Sequence, residues 1–274
     1  MKYKGFTYSY AVYAFTFFLA PLLLILFYSL TTERDGALVF TFSNYLRFFD
    51  FSNPQYMKVL GNSFRIAGFA TVLCLLLGYP MAYILANMKP RLRGFLSLLF
   101  VLPMWMNFLL RTYSWMSLLE TNGIVNTFLT KMGLPPLAIM YTEKAVVLGM
   151  VYNFLPFMIL PIYNTLIKVD HSLLDASDDL GASPWQTFLK VTLPLSKPAI
   201  YSGINMVFMP SVTTFVISRL LGGSSTALIG DIIEKQFKLV DNKGFGSAMA
   251  VIIMIFVFAL VALTKDKNSE GVIG

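Results

Sequence analysis

The chain has 274 residues, 57% of them hydrophobic and only 13% charged, with a mean hydropathy of +0.68. That balance excludes an ordinary soluble domain and describes a polytopic protein immersed in a lipid bilayer. A single cysteine, Cys74, excludes a disulfide within the chain, and the net charge of +7 is explained by basic loops flanking spans, so no nucleic acid is required.

Six apolar segments are each long enough, at about 20 residues, to cross a hydrocarbon core about 30 Å thick, which makes the fold all-α with six transmembrane helices. The first runs from Tyr8 to Leu30 and is too long for a signal-peptide core. The stretch from Thr31 to Ser63 is too polar, and too interrupted by Gly36 and Pro54, to cross; its Phe40 to Tyr45 run reads as a short strand or an interfacial piece. The second span, Phe64 to Ala86, contains Gly78-Tyr79-Pro80, and Cys74 within it reads as a packing residue. A basic loop with Lys89, Arg91 and Arg93 follows.

The third span, Phe95 to Leu118, carries Trp105, Asn107, Arg111, Tyr113 and Trp115. As one helix it stacks Asn107, Arg111 and Trp115 on one face, and an arginine in lipid costs about 2.5 to 3.5 kcal/mol, so Arg111 is expected to face protein or water. The residues from Gly123 to Gly133 read as a short amphipathic helix stopped by Gly133 and Pro135-Pro136. The fourth span, Ala145 to Ile167, holds Tyr152, Asn153, Pro156 and Pro161, and the two prolines predict bending or local unwinding.

Between the fourth and fifth spans lies a polar island, Ser172 to Pro198. Ser172 with Asp175 predicts a capped first helix that ends at Gly181, while Ser183, Pro184 and Gln186 predict a second cap and Pro194 a limit to the second helix. Asp175, Asp178 and Asp179 share one helical face, and Trp185, Phe188 and Leu189 offer an apolar anchor for a partner. On the residues alone a docking surface and a solvated face remain equally open. The fifth span, Ala199 to Leu220, is followed by an amphipathic run from Ala227 to Leu239, and the sixth, Phe245 to Thr264, opens on small residues suited to close packing. Lys2, Lys4, Lys89, Arg91, Arg93, Lys190, Lys197, Lys265 and Lys267 all fall on one side of this six-span arrangement, which predicts cytoplasmic termini and a cytoplasmic island in a cell membrane.

The island's Asp175-Ala176-Ser177, then Gly181, then Val191-Thr192-Leu193-Pro194 resembles the EAA loop of ABC-importer permeases, with Asp for Glu, Ser for Ala and Val for Ile. Further matches at Leu110-Arg111-Thr112-Tyr113, Tyr152 to Phe157, Leu221-Gly222-Gly223 and Gln236-Phe237 make nearly the whole chain similar to the PotB-type permeases of spermidine/putrescine ABC importers, a MetI-like fold. Arg219 and Asp231 depart from that pattern, where relatives tend to have Asp and Asn.

The resemblance implies a first span with an external segment at 1–63, a core permease domain at 64–264 containing the coupling loop 168–198, and a short tail at 265–274. It also implies ATPase contact through Asp175, Ala176, Asp178, Asp179, Gly181, Trp185, Phe188, Leu193 and Pro194. A polyamine path would run along Trp105, Asn107, Arg111, Tyr113, Trp115, Tyr152 and Asn153. The implied partners are a PotC-like second permease, a PotA-like ATPase dimer and a PotD-like external solute-binding protein. No phosphate-binding Gly-x-x-x-x-Gly-Lys-Ser/Thr motif occurs, so ATP and Mg belong to the ATPase chains and this chain is a transport subunit with no cofactor or metal of its own. A permease for another small solute, and a stand-alone secondary transporter or channel, are the alternatives; the last lacks the mid-span acids that ion coupling would use.

Overall fold

The structure is a computed structural model, and it describes residues 10, 12–34, 37–223 and 226–264. Tyr8, Gly36, the basic residues Lys2, Lys4, Lys265 and Lys267, and the tail at 265–274 lie outside them. In chain order the elements are α1 (Val12–Ser29), β1 (Thr31–Arg34), β2 (Ala37–Phe40), α2 (Ser43–Phe48), α3 (Gln55–Ala86), α4 (Pro90–Trp105), α5 (Phe108–Leu119), α6 (Ile124–Lys131), α7 (Glu143–Leu166), α8 (His171–Asp179), α9 (Pro184–Thr187), α10 (Leu193–Thr213), α11 (Ile229–Lys238) and α12 (Lys243–Thr264).

Among the described residues four helices are long and apolar enough to cross a membrane: α1, α3, α7 and Lys243–Ala262 of α12. A fifth span is possible as a broken pair, because the third predicted span is two helices, α4 and the Phe108–Lys131 run, bent by 94°. Met106 is extended, with ψ 147°, and Asn107 caps α5, so a polar cap ends what hydropathy reads as one segment. The fifth predicted span, α10, is long enough at 21 residues, but Ser, Lys, Asn and Pro dilute its apolar content. It stops at Thr213, and the chain re-forms a helix that ends in a π-turn at Ser218–Gly222.

One further expectation is corrected and another is narrowed. The second span's helix starts at Gln55, nine residues ahead of the apolar stretch, since nothing from Gln55 to Ser63 breaks a helix. Pro156 and Pro161 do not unwind the fourth span, which is α-helical from Glu143 to Leu166. A membrane helix tolerates proline where neighbouring protein shields the freed carbonyls, and here Pro156 is itself buried.

The chain divides into two compact units. One comprises the described residues up to 60 together with 229–260. In it the β1–β2 hairpin pairs Thr31 with Phe40, and buried Asn44 donates from Nδ2 to the carbonyls of Ser29 (3.1 Å) and Thr31 (2.9 Å). Gly244 passes so close to this corner that a Cβ would lie 2.4 Å from the Thr31 carbonyl oxygen. Phe48, Tyr56 and Phe245 form its aromatic centre, with the Arg47 guanidinium 4.5 Å over the Phe245 ring. Only 6% of the Val12–Ser29 window is buried within the chain.

The other unit, the described residues of 61–228 together with 261–264, holds a continuous core that includes Ile66, Cys74, Met150, Met158, Val207 and Ile217. Cys74 packs as expected of it, fully buried. α7 packs extensively on α10, made possible by Gly203, whose Cβ position is 2.7 Å from Met158 Sδ. Backbones approach through such small residues because lipid offers no hydrophobic drive to bring helices together. A buried Asn126 fixes the turn beyond α6 by accepting from Leu137 N (2.7 Å) and donating to the Glu120 and Leu137 carbonyls.

Candidate functional site

The polar island folds into two short helices, with a different first cap from the one predicted. Asp170, not Ser172, caps α8, accepting from Ser172 N at 3.0 Å. That bond holds the Asp170 carboxyl below its ordinary value, so the cap is present above the usual carboxylate range and is lost as pH falls through the lowered one. The end of α8 is as predicted. Gly181 has φ +76°, its N–H donates to Asp178 O (2.8 Å), and Ala182 N donates to Ser177 O (3.1 Å), the paired bonds of a Schellman turn.

Ser183 and Gln186 then form the predicted capping box, with Pro184 at the first helical position. Pro194, however, does not end the second helix. Phe188–Thr192 is a π-turn in which Leu193 N reaches back to Phe188 O, and helix continues through it into α10. The wide turn is compatible with Pro194, which has no N–H to offer the usual α bond. The backbone therefore runs as one helical rod from Pro184 to Thr213.

Asp175, Asp178 and Asp179 are exposed on α8, as is Ala176, while Leu174 and Ser177 turn inward and Ser177 Oγ bonds Thr187 Oγ1 at 2.9 Å, joining the two short helices. Leu180 (88% exposed) and Trp185 (67%) are the most exposed apolar residues of the island, with Leu173 and the predicted anchor Leu189 exposed beside them. Phe188, predicted beside Trp185 as a partner anchor, instead points inward against Tyr79 and Tyr83 of α3. Leu193 is partly buried against the core and Pro194 is exposed. Behind the island a pocket of about 230 Å³ is shared by Tyr83, Arg93, His171 and Asp178.

The residues predicted to share one path separate. Asn107 spends its carboxamide oxygen on Leu109 N (2.8 Å) and Leu110 N (3.3 Å), so it is a cap and not part of a stripe. Trp105 lies across the break, 80% exposed, and Tyr113 is exposed on another face of α5. Arg111 is 7% exposed, inside the protein as expected, and among the described residues no hydrogen-bond acceptor meets its Nε or Nη1. Trp115 and Tyr152 do come together, ring centroids 5.2 Å apart, on a groove of about 580 Å³ shared with Phe69, Leu73 and Leu77. Asn153 turns the other way, fully packed, donating to Gly149 O at 2.8 Å.

A family model described as "Binding-protein-dependent transport system inner membrane component" matches residues 74–265, which includes the island and every span after α3 begins its second half. The chain belongs to that family. This permease is 41% identical over 258 residues to the spermidine/putrescine transport system permease protein PotB of Haemophilus influenzae, covering 92% of this chain and 89% of the relative. It is 40% identical over 259 residues to the protein of the same name from Escherichia coli strain K12, covering 93% of each. Its fold matches a chain in the crystal structure of a bacterial ABC transporter involved in alginate import, with a TM-score of 0.80 at 13% identity over 95% of this chain and 92% of that one. The permease is thus a transport subunit of an ABC importer, a mostly helical inner-membrane component of the MetI-like class, and not itself an enzyme.

Proposed function

We propose that this permease forms half of the translocation unit of a spermidine/putrescine importer. The observation that carries the reading is 41% identity sustained over 92% of the chain to a permease of that named specificity. In this reading its partners are a PotC-like permease, a PotA-like ATPase dimer that binds ATP and Mg, and a PotD-like binding protein outside. The acidic α8 face, Leu180 and Trp185 meet the ATPase, and the rod from Pro184 to Thr213 carries its motion into a span. Trp115 and Tyr152 offer the aromatic faces on which an ammonium group is held weakly, at about 0.5 to 2 kcal/mol. Arg111, buried one turn from Trp115, opposes the passage of small cations.

The test is uptake of labelled spermidine and putrescine by the four-part system in proteoliposomes. ATP-dependent uptake of at least one is expected. Uptake of neither sinks the polyamine reading, and uptake that persists without the ATPase would make the chain a channel.

The same reading places the island and both termini in the cytoplasm, on the Lys and Arg bias. In a Cys74→Ala background, Leu180→Cys is expected to react with an impermeant thiol reagent only after the membrane is opened, and Leu239→Cys, 75% exposed, in intact cells. The opposite pattern of labelling reverses the orientation.

A further inference from the structure

Phe188 stands where α9 passes into the π-turn, and three aromatic rings surround it. Trp185 stacks on it with centroids 5.4 Å apart and planes at 21°. Tyr79 and Tyr83, one turn apart near the end of α3, meet it edge-on at 5.7 Å and 5.6 Å. Beside this cluster Tyr79 Oη shares a buried 2.9 Å hydrogen bond with Ser196 Oγ in the first turn of α10. The island is therefore fastened to α3 by a ring held between two rings and by a hydroxyl pair, with no covalent link between the two segments other than the long path through α4 to α8.

We propose that Phe188 is a positioning residue that conveys displacement of the island to α3, so that a partner docked on the island moves two spans at once. One route is covalent, along the rod into α10. The second passes through Phe188 to Tyr79 and Tyr83. Motion of Phe188 toward α3 presses it into two close-packed rings, and motion away opens both edge-on contacts at once, so displacement in either sense costs contact energy unless α3 follows.

Both routes lead to one side chain. Gly78, next to Tyr79, has its Cβ position 3.0 Å from Met158 Cγ, and Gly203 of α10 has its own 2.7 Å from Met158 Sδ. Met158 is fully buried on α7, so α3 and α10 press the same point of α7 from two directions. The division of labour on α9 follows: Trp185 presents its ring outward to the partner, and Phe188 presents its ring inward to the spans.

This inference rests on the reading that the island meets an ATPase. The experiment uses the reconstituted complex and measures three quantities: ATPase co-purification, hydrolysis rate, and solute imported per ATP hydrolysed. Phe188→Ala and Tyr83→Ala are each expected to keep the ATPase bound and hydrolysing while import per ATP falls by about tenfold, the factor that a loss of roughly 1.4 kcal/mol of coupling produces. The double variant is expected to be no worse than either single, because both remove one contact, and Phe188→Leu is expected to recover part of the ratio. Should Phe188→Ala lower ATPase binding in step with import, the residue is a partner anchor and the proposal fails. Import per ATP at the parental value in both single variants would also overturn it. Tyr83→Ala supplies the answer if Phe188→Ala does not assemble. A parent complex that binds no ATPase overturns the underlying reading instead, and is seen before any variant is made.

Discussion

Gly181→Val is expected to strip the ATPase from the permease and reduce uptake by roughly tenfold or more, although the added side chain meets open space. Beyond its two chain neighbours no atom lies within 4 Å of the place its Cβ would occupy, so the effect comes from the backbone. At φ +76° an L-residue pays about 1 to 2 kcal/mol, and a β-branched one is a clear outlier. The chain escapes that cost by abandoning the paired bonds from Gly181 N and Ala182 N, and α8 then loses its fixed angle to α9. Asp175→Lys attacks the same surface through charge and leaves the turn intact. Pull-down of the ATPase with membrane-inserted permease is the measurement; parental recovery for both variants would remove the island from the interface.

Gly149→Leu is the other large effect, and it acts on assembly of the span bundle. A Cβ there would meet Leu221 Cδ1 at 2.3 Å and Ile217 Cγ2 at 3.0 Å. The tip of a leucine normally swings away, but Leu221 and Ile217 are both fully buried, so each is hemmed in by its own neighbours. Overpacking a filled core costs typically about 1 to 3 kcal/mol, and Leu adds four carbons where the first already clashes. Loss of most monodisperse permease from detergent extracts is expected. Gly68→Leu on α3 is the matched control, since nothing lies within 4 Å of its Cβ position, and it should be recovered at close to parental yield. Equal yields for the two would mean that α7 does not approach the 217–221 segment so closely.

The parts of this structure that local chemistry controls were legible in the sequence. The stop at Gly181, the box at Ser183 and Gln186, the end of the short helix before Gly133 and the end of α3 at Ala86 all depend on residues within four positions of one another. The break at Met106 and Asn107 was hidden because a hydropathy window averages over it; its local signal, a single Asn ahead of an apolar run, was read as one member of a stripe. The inward packing of Phe188 was hidden for a related reason. Its apolar ring beside Trp185 reads locally as an anchor, whereas the rings of Tyr79 and Tyr83 decide where it points, and they are more than a hundred residues away. The separation of Tyr152 from Asn153 follows simply from adjacency on α7, where neighbours differ by about 100° in direction.

The π-turn at Phe188–Thr192 has a bearing on how such an element diversifies. A π-turn is what remains when one residue is inserted into an α-helix, and each residue gained or lost rotates everything beyond it by about 100°. The surface shown by Trp185 and the face of α10 that begins at Ser196 are thus held in phase by one supernumerary residue. A lineage that deleted it would keep both helices and both sequences while swinging Trp185 a quarter-turn off its bearing. Under the proposed docking of an ATPase on the island, re-matching to a different ATPase is open to this fold through length change at a single point, without substitution of any residue on the docking surface.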